Sequence, residues 1–485
     1  MARETGLLGS RIRPGPLSFL LAGTVAIRAV PLLIWFDLPL MRDELSYAEL
    51  AQALLEGRGI VPTAHGWLWA PLYPVFLAVH RLLFGSILSA RITQVLLSAL
   101  AAFLVYRLGW RLGGVRVALF AGWLYALEPT LIAFSHYFWT EHLYSVWLLL
   151  ALESALTMRD RHPGLSALPG LAMGLAMLTR GVGTYALPFL ALAPLWGRWR
   201  DARAWLRAGS LAAAAVLTVV PYAVHASRAH GGLVLVDTSV GFNMWLGNNT
   251  FEPVSFDYQM GGDLLAEEDY ARLGGRPECW SGLPVAEKNA CEIANGLAFI
   301  RDRPLLFLRR AGTRLAQTFN PSSFLLRNLR MGRYEGMPRP VREGLCMAVL
   351  LFHFLIVGTA AVGAGASWGA RVSGPAARAS GACPDVAAGS LAGARTGEAA
   401  GQAQQAAIWA LTFYHLAAAG ALIGLSRFRV PLLPLWIPFS AIVLADPSDA
   451  LRRFLSGPWR TLVTAAVLSG VLLSSLVYIG RAFPR

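Results

Sequence analysis

Lysine is almost missing from this chain. Of its 42 basic residues only Lys288 is a lysine, and the others are arginines. Charge of either sign is also sparse, at 14% of residues, against about 25% in soluble domains. The four cysteines are too few for a disulfide-built scaffold, and no two stand in a Cys-x-x-Cys pair. No glycine-rich phosphate loop, no His-Glu-x-x-His helix and no nucleotide-binding cytoplasmic domain can be read in the sequence. Together these absences exclude a soluble globular enzyme, a small secreted disulfide scaffold and a metalloprotease of the helical type. They also argue against activation by a soluble nucleotide donor. A net charge of +14 would by itself suggest nucleic acid. Here the arginines sit in short loops between apolar runs, which is a membrane-topology signal, and no nucleic-acid partner is expected.

What the chain has is hydrophobicity, at 55% of its 485 residues. Apolar runs of spanning length recur, so the expected fold is an all-α polytopic membrane protein with about eleven transmembrane helices. The first run, Leu17 to Phe36, follows Arg3, Arg11 and Arg13. It is too long for a signal-peptide core and reads as an uncleaved span. Further spans are expected near 92–106, 117–134, 143–156, 165–178, 185–196, 211–226, 345–362, 408–425, up to 444, and 462–479. The stretch from Pro71 to Phe84 is apolar but short and suits a helix lying at the interface. With that choice the turns holding Arg107 to Arg116, Arg159 to Arg161 and Arg198 to Arg207 all become cytoplasmic, as the positive-inside rule prefers.

Three parts follow. Residues 1–229 form an N-terminal bundle whose first outer loop, 37–90, carries the chemistry. Residues 230–344 form an inserted extracytoplasmic domain, and residues 345–485 return to the membrane around an Ala/Gly/Ser-rich cytoplasmic linker at 366–405. Cys279 and Cys291 fall in the extracytoplasmic part, where they either bridge or remain separate thiols. The location expected is the inner (plasma) membrane, multi-pass.

On this topology several polar groups from distant parts of the sequence share the outer face: Asp43 with Glu44, Glu141 with His142, Arg180, the segment Gly241 to Asn249, and Arg427 with Arg429. Acids in a first helical turn usually only complement the helix dipole, and Asp43 and Glu44 alone would read that way. Arginines beside them change the reading. Guanidinium groups fork onto phosphate oxygens, and a nearby carboxylate can take a proton from an attacking hydroxyl or amine. Several polar residues read as ordinary: His80 and Arg81 as headgroup contacts, Glu153 as a paired acid.

The motifs Asp43-Glu44-x-x-Tyr47, Ala70-Pro71-Leu72-Tyr73-Pro74, Thr140-Glu141, Leu178-Thr179-Arg180, Gly241-Phe242-Asn243-x-Trp245-x-Gly247-Asn248 and Arg427-Phe428-Arg429-x-Pro431 occur in that order. In this the chain resembles the GT-C superfamily of membrane glycosyltransferases. Within it, the likeness is to the polyprenyl-phosphate-sugar-dependent family of protein O-mannosyltransferases and bacterial aminoarabinose transferases. The resemblance implies inverting transfer of a sugar from a polyprenyl-phosphate donor to an extracytoplasmic lipid, glycan or protein acceptor. Asp43 would be the general base and Glu44 its support. Arg427, Arg429 and Arg180 would hold the phosphate, and Tyr47, Asn243, Trp245 and Asn248 would line the substrate cavity. Glu141 and His142 would bind substrate; their alternative is a divalent cation, for which two ligands are few. No other cofactor is implied. The stretch Leu68-Trp69-Ala70-Pro71 lacks the lysine that the aminoarabinose branch carries there, so that sugar is not implied. A transporter or flippase for a lipid-linked or anionic substrate is the alternative, and a polymer ligase using a pyrophosphate-linked glycan is a third reading.

Overall fold

The computed structural model describes residues 15–62, 66–249, 279, 282–321, 323–367 and 387–457. The basic N-terminus, residues 368–386 of the linker with Cys383, and the expected last span at 462–479 lie outside the described residues; residues 387–405 of the expected flexible linker are helical instead. Among the described residues every regular element is a helix.

Helix α1 (Pro16–Ile34) starts on a proline at its first turn, where the missing N–H costs no hydrogen bond. Its Arg28 is buried and donates to the carbonyls of Ala126 (3.0 Å) and Tyr125 (3.3 Å), so this arginine inside an apolar span has a structural partner. The helices α2 (Asp43–Leu55) and α3 (Leu72–Phe84) are short and pack on each other, with Tyr47 edge-on to Tyr73 at 5.2 Å. His80 is buried and bonds to the Phe76 carbonyl and Thr93 Oγ1, fastening α3 to the next helix. It is a packing histidine, and the expected headgroup contact does not form.

The segment α4 (Ala90–Leu127) consists of two helical legs that meet at Gly113-Gly114, where the backbone leaves the helical region and Gly114 has φ +78°. Only glycine adopts this readily. The two legs then close on each other: a Cβ on Gly109 would lie 2.9 Å from that of Ala121. The turn falls inside the arginine-rich 107–116 stretch. There Arg107 and Arg111 both bond to Glu153 of α6 (Thr140–Thr157), which lies beyond the short α5 (Pro129–Phe134). Glu153 is paired, as its sequence context suggested.

Then come α7 (Ala167–Thr179), the short turns α8 (Leu187–Leu190) and α9 (Leu192–Leu195), and α10 (Ala202–Ala229), which begins on an Asp201 cap. Between the two membrane parts lie α11 (Ser239–Gly247), α12 (Val285–Asp302), α13 (Pro304–Thr318) and α14 (Phe324–Arg330). Cys279 and Cys291 are joined in a disulfide, with Cα atoms 5.5 Å apart. This resolves the alternative that the sequence left open.

The last described helices are α15 (Arg339–Ser367), α16 (Ala387–Ala421), α17 (Leu433–Ala445) and α18 (Pro447–Leu455). A Cβ on Gly363 would run into the Phe439 carbonyl, so glycine lets α15 and α17 approach closely.

Among the described residues four helical segments are long and apolar enough to cross a membrane, and the second is the one the glycine turn divides. Their outward faces carry large apolar side chains, such as Leu33, Leu217 and Leu351, each more than 60% exposed. Such stripes are stable facing lipid and costly facing water. The protein is a membrane protein of helical bundle type.

Candidate active site

One end of the bundle gathers charge from parts of the chain far apart in sequence. It begins at a strained turn. Arg42 has φ 56° and ψ −121°, the one positive φ outside glycine among the described residues. This is the first corner of a type II′ turn, a place normally given to glycine, and it costs roughly 1 kcal/mol or more. The turn is closed by the Glu44 N–H on the Met41 carbonyl (3.2 Å), and the Glu44 carboxylate accepts from the Met41 N–H in return (2.9 Å). Asp43 is thereby set as the first residue of α2.

Glu44 is fully buried and committed. Besides Met41 it accepts from the Phe138 N–H (2.9 Å) and from Arg333 Nη2 (2.5 Å). Burial pushes its carboxyl up from the usual range, while Arg333 and the two N–H groups pull the other way. Arg333 also donates to the Pro39 carbonyl, and Arg91 to those of Leu38 (2.7 Å) and His136 (3.0 Å). Glu44 therefore anchors the loop that carries Asp43, and its carboxylate is enclosed.

Asp43 does face it. Its side chain is 29% exposed, and Oδ2 accepts from Arg427 Nη1 at 2.6 Å. Arg427 in turn reaches Glu141 Oε1 at 3.7 Å, and the same oxygen accepts from Arg180 Nη1 at 2.6 Å. Arg180 also donates to Thr140 Oγ1 (2.9 Å). The result is a line of alternating sign, Asp43, Arg427, Glu141, Arg180. Aromatic rings wall it: the Arg427 guanidinium lies 5.2 Å from the Trp139 ring centre, 5.8 Å from Phe324 and 5.7 Å from Phe428, and Arg180 lies 5.3 Å from Phe428. Such faces favour a cation and hold its plane. Tyr47, one turn along α2, is buried beside this line; burial and the nearby Asp43 and Glu141 carboxylates push its hydroxyl pKa up, keeping it neutral.

Other expected site residues point elsewhere. His142 is one position past Glu141, about 100° around the helix, and its Nε2 bonds to the Gln94 carbonyl at 2.9 Å. Glu141 and His142 thus do not present one face to a cation. Among the described residues no three His, Cys, Asp or Glu side chains come together as a metal site. Arg429 is buried and donates to the carbonyls of Thr318 (3.1 Å) and Asn320 (2.6 Å), because two steps along the 3₁₀ turn Ser426–Arg429 carry the side chain about 240° around the axis, onto another face from Arg427. It stabilises the turn and does not join Arg427.

Asn248 is buried, donating to the Ala421 carbonyl (2.8 Å) and accepting from Arg314 (3.2 Å). It ties the end of α11 to the end of α16 and to α13. Trp245 is buried against Cys279, and Asn243 lies half-exposed on α11. These α11 residues connect to the site through a row of rings: Tyr47–Trp69 at 5.4 Å, Trp69–Trp67 at 5.9 Å, Trp67–Phe242 at 4.7 Å and Phe242–Trp245 at 5.8 Å.

Two members of the site have no sequence signature. One is Arg333, an arginine among many. The other is Asp237, whose carboxylate accepts from the Gly181 N–H (3.0 Å) and Ser239 Oγ (3.3 Å) beside Arg180. Burial raises its pKa above the usual carboxylate value. A Cβ at position 181 would collide with this carboxylate, so the glycine after Arg180 is what admits it. Its neighbour Thr238 exchanges two hydrogen bonds with Leu68, pinning the strap 234–239 to the first outer loop.

Residues 69–222, about a third of the chain, match the family described as dolichyl-phosphate-mannose-protein mannosyltransferase. An undecaprenyl phosphate-alpha-4-amino-4-deoxy-L-arabinose arabinosyl transferase of Pseudomonas aeruginosa (strain LESB58) is 33% identical over 212 residues, which is 39% of this chain and 37% of that protein. A transferase of the same description from Sodalis glossinidius is 30% identical over 198 residues, covering 38% and 36%. The match therefore spans well under half the length of these curated relatives. Among solved structures, ArnT from Cupriavidus metallidurans in the apo state aligns with 83% of this chain and 78% of its own, at 18% identity and a TM-score of 0.36. By these matched segments the chain resembles the GT-C membrane glycosyltransferases, the protein mannosyltransferases and aminoarabinose transferases among them.

Proposed function

We propose that this protein is an inverting glycosyltransferase that moves a sugar from a polyprenyl-phosphate donor to a lipid, glycan or protein acceptor. The observation that carries this reading is the convergence of a half-open carboxylate, Asp43, with the Arg427 and Arg180 guanidiniums at one aromatic-walled end of a membrane bundle. The arginines bind the donor phosphate. Asp43 takes the proton from the acceptor hydroxyl or amine as that atom bonds to the anomeric carbon from the opposite side. The bond from that carbon to the phosphate oxygen breaks, and the electron pair leaves on polyprenyl phosphate. The charge that grows there falls on Arg427 and Arg180, positioned before the reaction begins. The likeness of the matched segment to undecaprenyl-phosphate arabinosyl transferases supports a polyprenyl-phosphate donor.

The site faces the extracytoplasmic side of the plasma membrane in this reading. The turns with Arg107, Arg111, Arg116, Arg159, Arg161, Arg198, Arg200 and Arg203 belong to the opposite end, which the positive-inside rule assigns to the cytoplasm. About eleven spans, with α2 and α3 lying at the outer interface, satisfy that rule throughout. No metal ion is required, since guanidinium groups supply the positive charge that the leaving phosphate needs. A transporter would want its charges near the membrane midplane, whereas Asp43, Glu141, Arg180 and Arg427 all lie at helix ends.

The experiment is turnover by the purified protein in lipid nanodiscs, with a panel of polyprenyl-phosphate sugars and envelope extract as acceptor, following release of polyprenyl phosphate. Asp43→Asn is expected to lower release by about 10²- to 10⁴-fold, the usual contribution of a general base. A chelator in the assay is expected to change nothing. Undiminished release by Asp43→Asn would remove Asp43 as the base.

A further inference from the structure

We propose that the donor phosphate switches on the base: Asp43 is held idle by Arg427 until a polyprenyl-phosphate headgroup takes that guanidinium away. This rests on the transferase reading and adds an order to its substrates. Three observations carry it. Asp43 Oδ2 accepts from Arg427 Nη1 at 2.6 Å, so the carboxylate is tied to the guanidinium through one of its two oxygens and held in that orientation. Arg427 is confined by the rings of Trp139, Phe324 and Phe428 and drawn by Glu141 at 3.7 Å, so it has little room to withdraw unaided. Asp43 has only a short side chain at a helix start and is the more exposed partner, at 29% against 15%.

A phosphate prefers the same guanidinium edge that a carboxylate uses. Two anions then compete for Arg427. Glu141 cannot resolve the conflict by yielding, because its carboxylate is already bound to Arg180 at 2.6 Å. The more exposed anion, Asp43, which among the described residues Arg427 alone holds, is the one displaced from the guanidinium. Once free, its carboxylate can turn toward the acceptor and accept its hydrogen bond. The base is thus available only when a donor is present, and donor binding precedes productive acceptor binding.

This mechanism makes an unusual demand of the catalytic residue. Removing the charge of Asp43 should improve donor-phosphate binding while abolishing turnover. The measurement is binding of undecaprenyl phosphate to nanodisc-embedded protein, with neutral undecaprenol as the control lipid. Asp43→Asn and Asp43→Ala are both expected to bind the phosphate about tenfold more tightly than wild type, a competitor of one charge having gone. Neither should change binding of undecaprenol, and Arg427→Gln should lose the gain when combined with Asp43→Asn. Equal or weaker phosphate binding by both Asp43 variants would overturn the interlock and leave the transferase reading standing. No preference for the phosphate over undecaprenol in any variant, wild type included, would instead overturn the donor assignment itself.

Discussion

At the scale of single residues, the pair Glu44 and Arg333 decides whether Asp43 has a fixed position at all. Both side chains are essentially inaccessible, and their contact joins positions 289 apart in sequence. Removing one member of a buried ion pair leaves the other charge without compensation, which costs about 3–5 kcal/mol. Arg333→Met should therefore lower the thermal midpoint in detergent severely. The double change Glu44→Gln with Arg333→Met should lose less than Arg333→Met alone, and a double-mutant cycle reads the coupling directly. Arg42 shows the same arrangement from the backbone side: its left-handed φ is held by the bonds that Glu44 makes around the turn. Strain of this kind persists where neighbouring contacts over-determine it, and here it adjoins the proposed base.

At the scale of elements, α11 and α12 form a unit whose stability should depend on pH. Asn289 accepts from the Gly241 N–H (2.8 Å), and a Cβ on Gly296 would press into Met244, so the two helices lie close. Glu292 is buried in this unit at 2% exposure, and its Oε1 makes no hydrogen bond among the described residues. Burial pushes its carboxyl from 4.5 up to about 7, with Lys288 one turn earlier opposing the shift. The folded state thus holds this proton more tightly than the unfolded chain. The stabilisation is complete below about pH 4.5 and is lost as pH rises through about 7, up to a ceiling of about 3 kcal/mol. Hydrogen exchange in α12, corrected for intrinsic rates, should show falling protection from pH 5 to pH 8. Glu292→Gln should flatten that profile and raise protection at pH 8; an unchanged slope would assign the pH dependence to another group.

At the scale of the whole molecule, the bundle keeps its two ends chemically distinct. The end with Asp43 carries carboxylates paired with arginines inside an aromatic wall. The other carries the Gly113-Gly114 turn, the Arg107/Arg111 contacts with Glu153, and the exposed Arg200. The proposed orientation is open to labelling. In a background with Cys346 and Cys383 replaced by serine, Arg58→Cys should react with an impermeant maleimide applied to spheroplasts. Arg200→Cys should react only after permeabilisation. The reverse pattern would invert the molecule and bring Asp43 to the cytoplasmic face.

The class of the fold was legible because it rests on local quantities. Runs of apolar residues have a length and arginines between them have a side, so the helical membrane architecture and the turn at 107–116 follow from neighbours in sequence. The short length of α3 was legible for the same reason. The chemistry was legible only as residue types. Asp43, Glu141, Arg180 and Arg427 were identifiable from their motifs, but motif membership does not fix direction. Arg429 shares a motif with Arg427 and turns away within one 3₁₀ turn, while His142 follows Glu141 and bonds into the bundle. Arg333 and Asp237 carry no local signal, since each becomes special only by what it meets across the fold. The pairing of Asp43 with Arg427 joins positions 384 apart. Sequence determined the solvent in which this chain folds and the groups available for its chemistry. Tertiary structure decided which of those groups share one site, because their convergence depends on helix packing and side-chain direction, which no stretch of neighbouring residues contains.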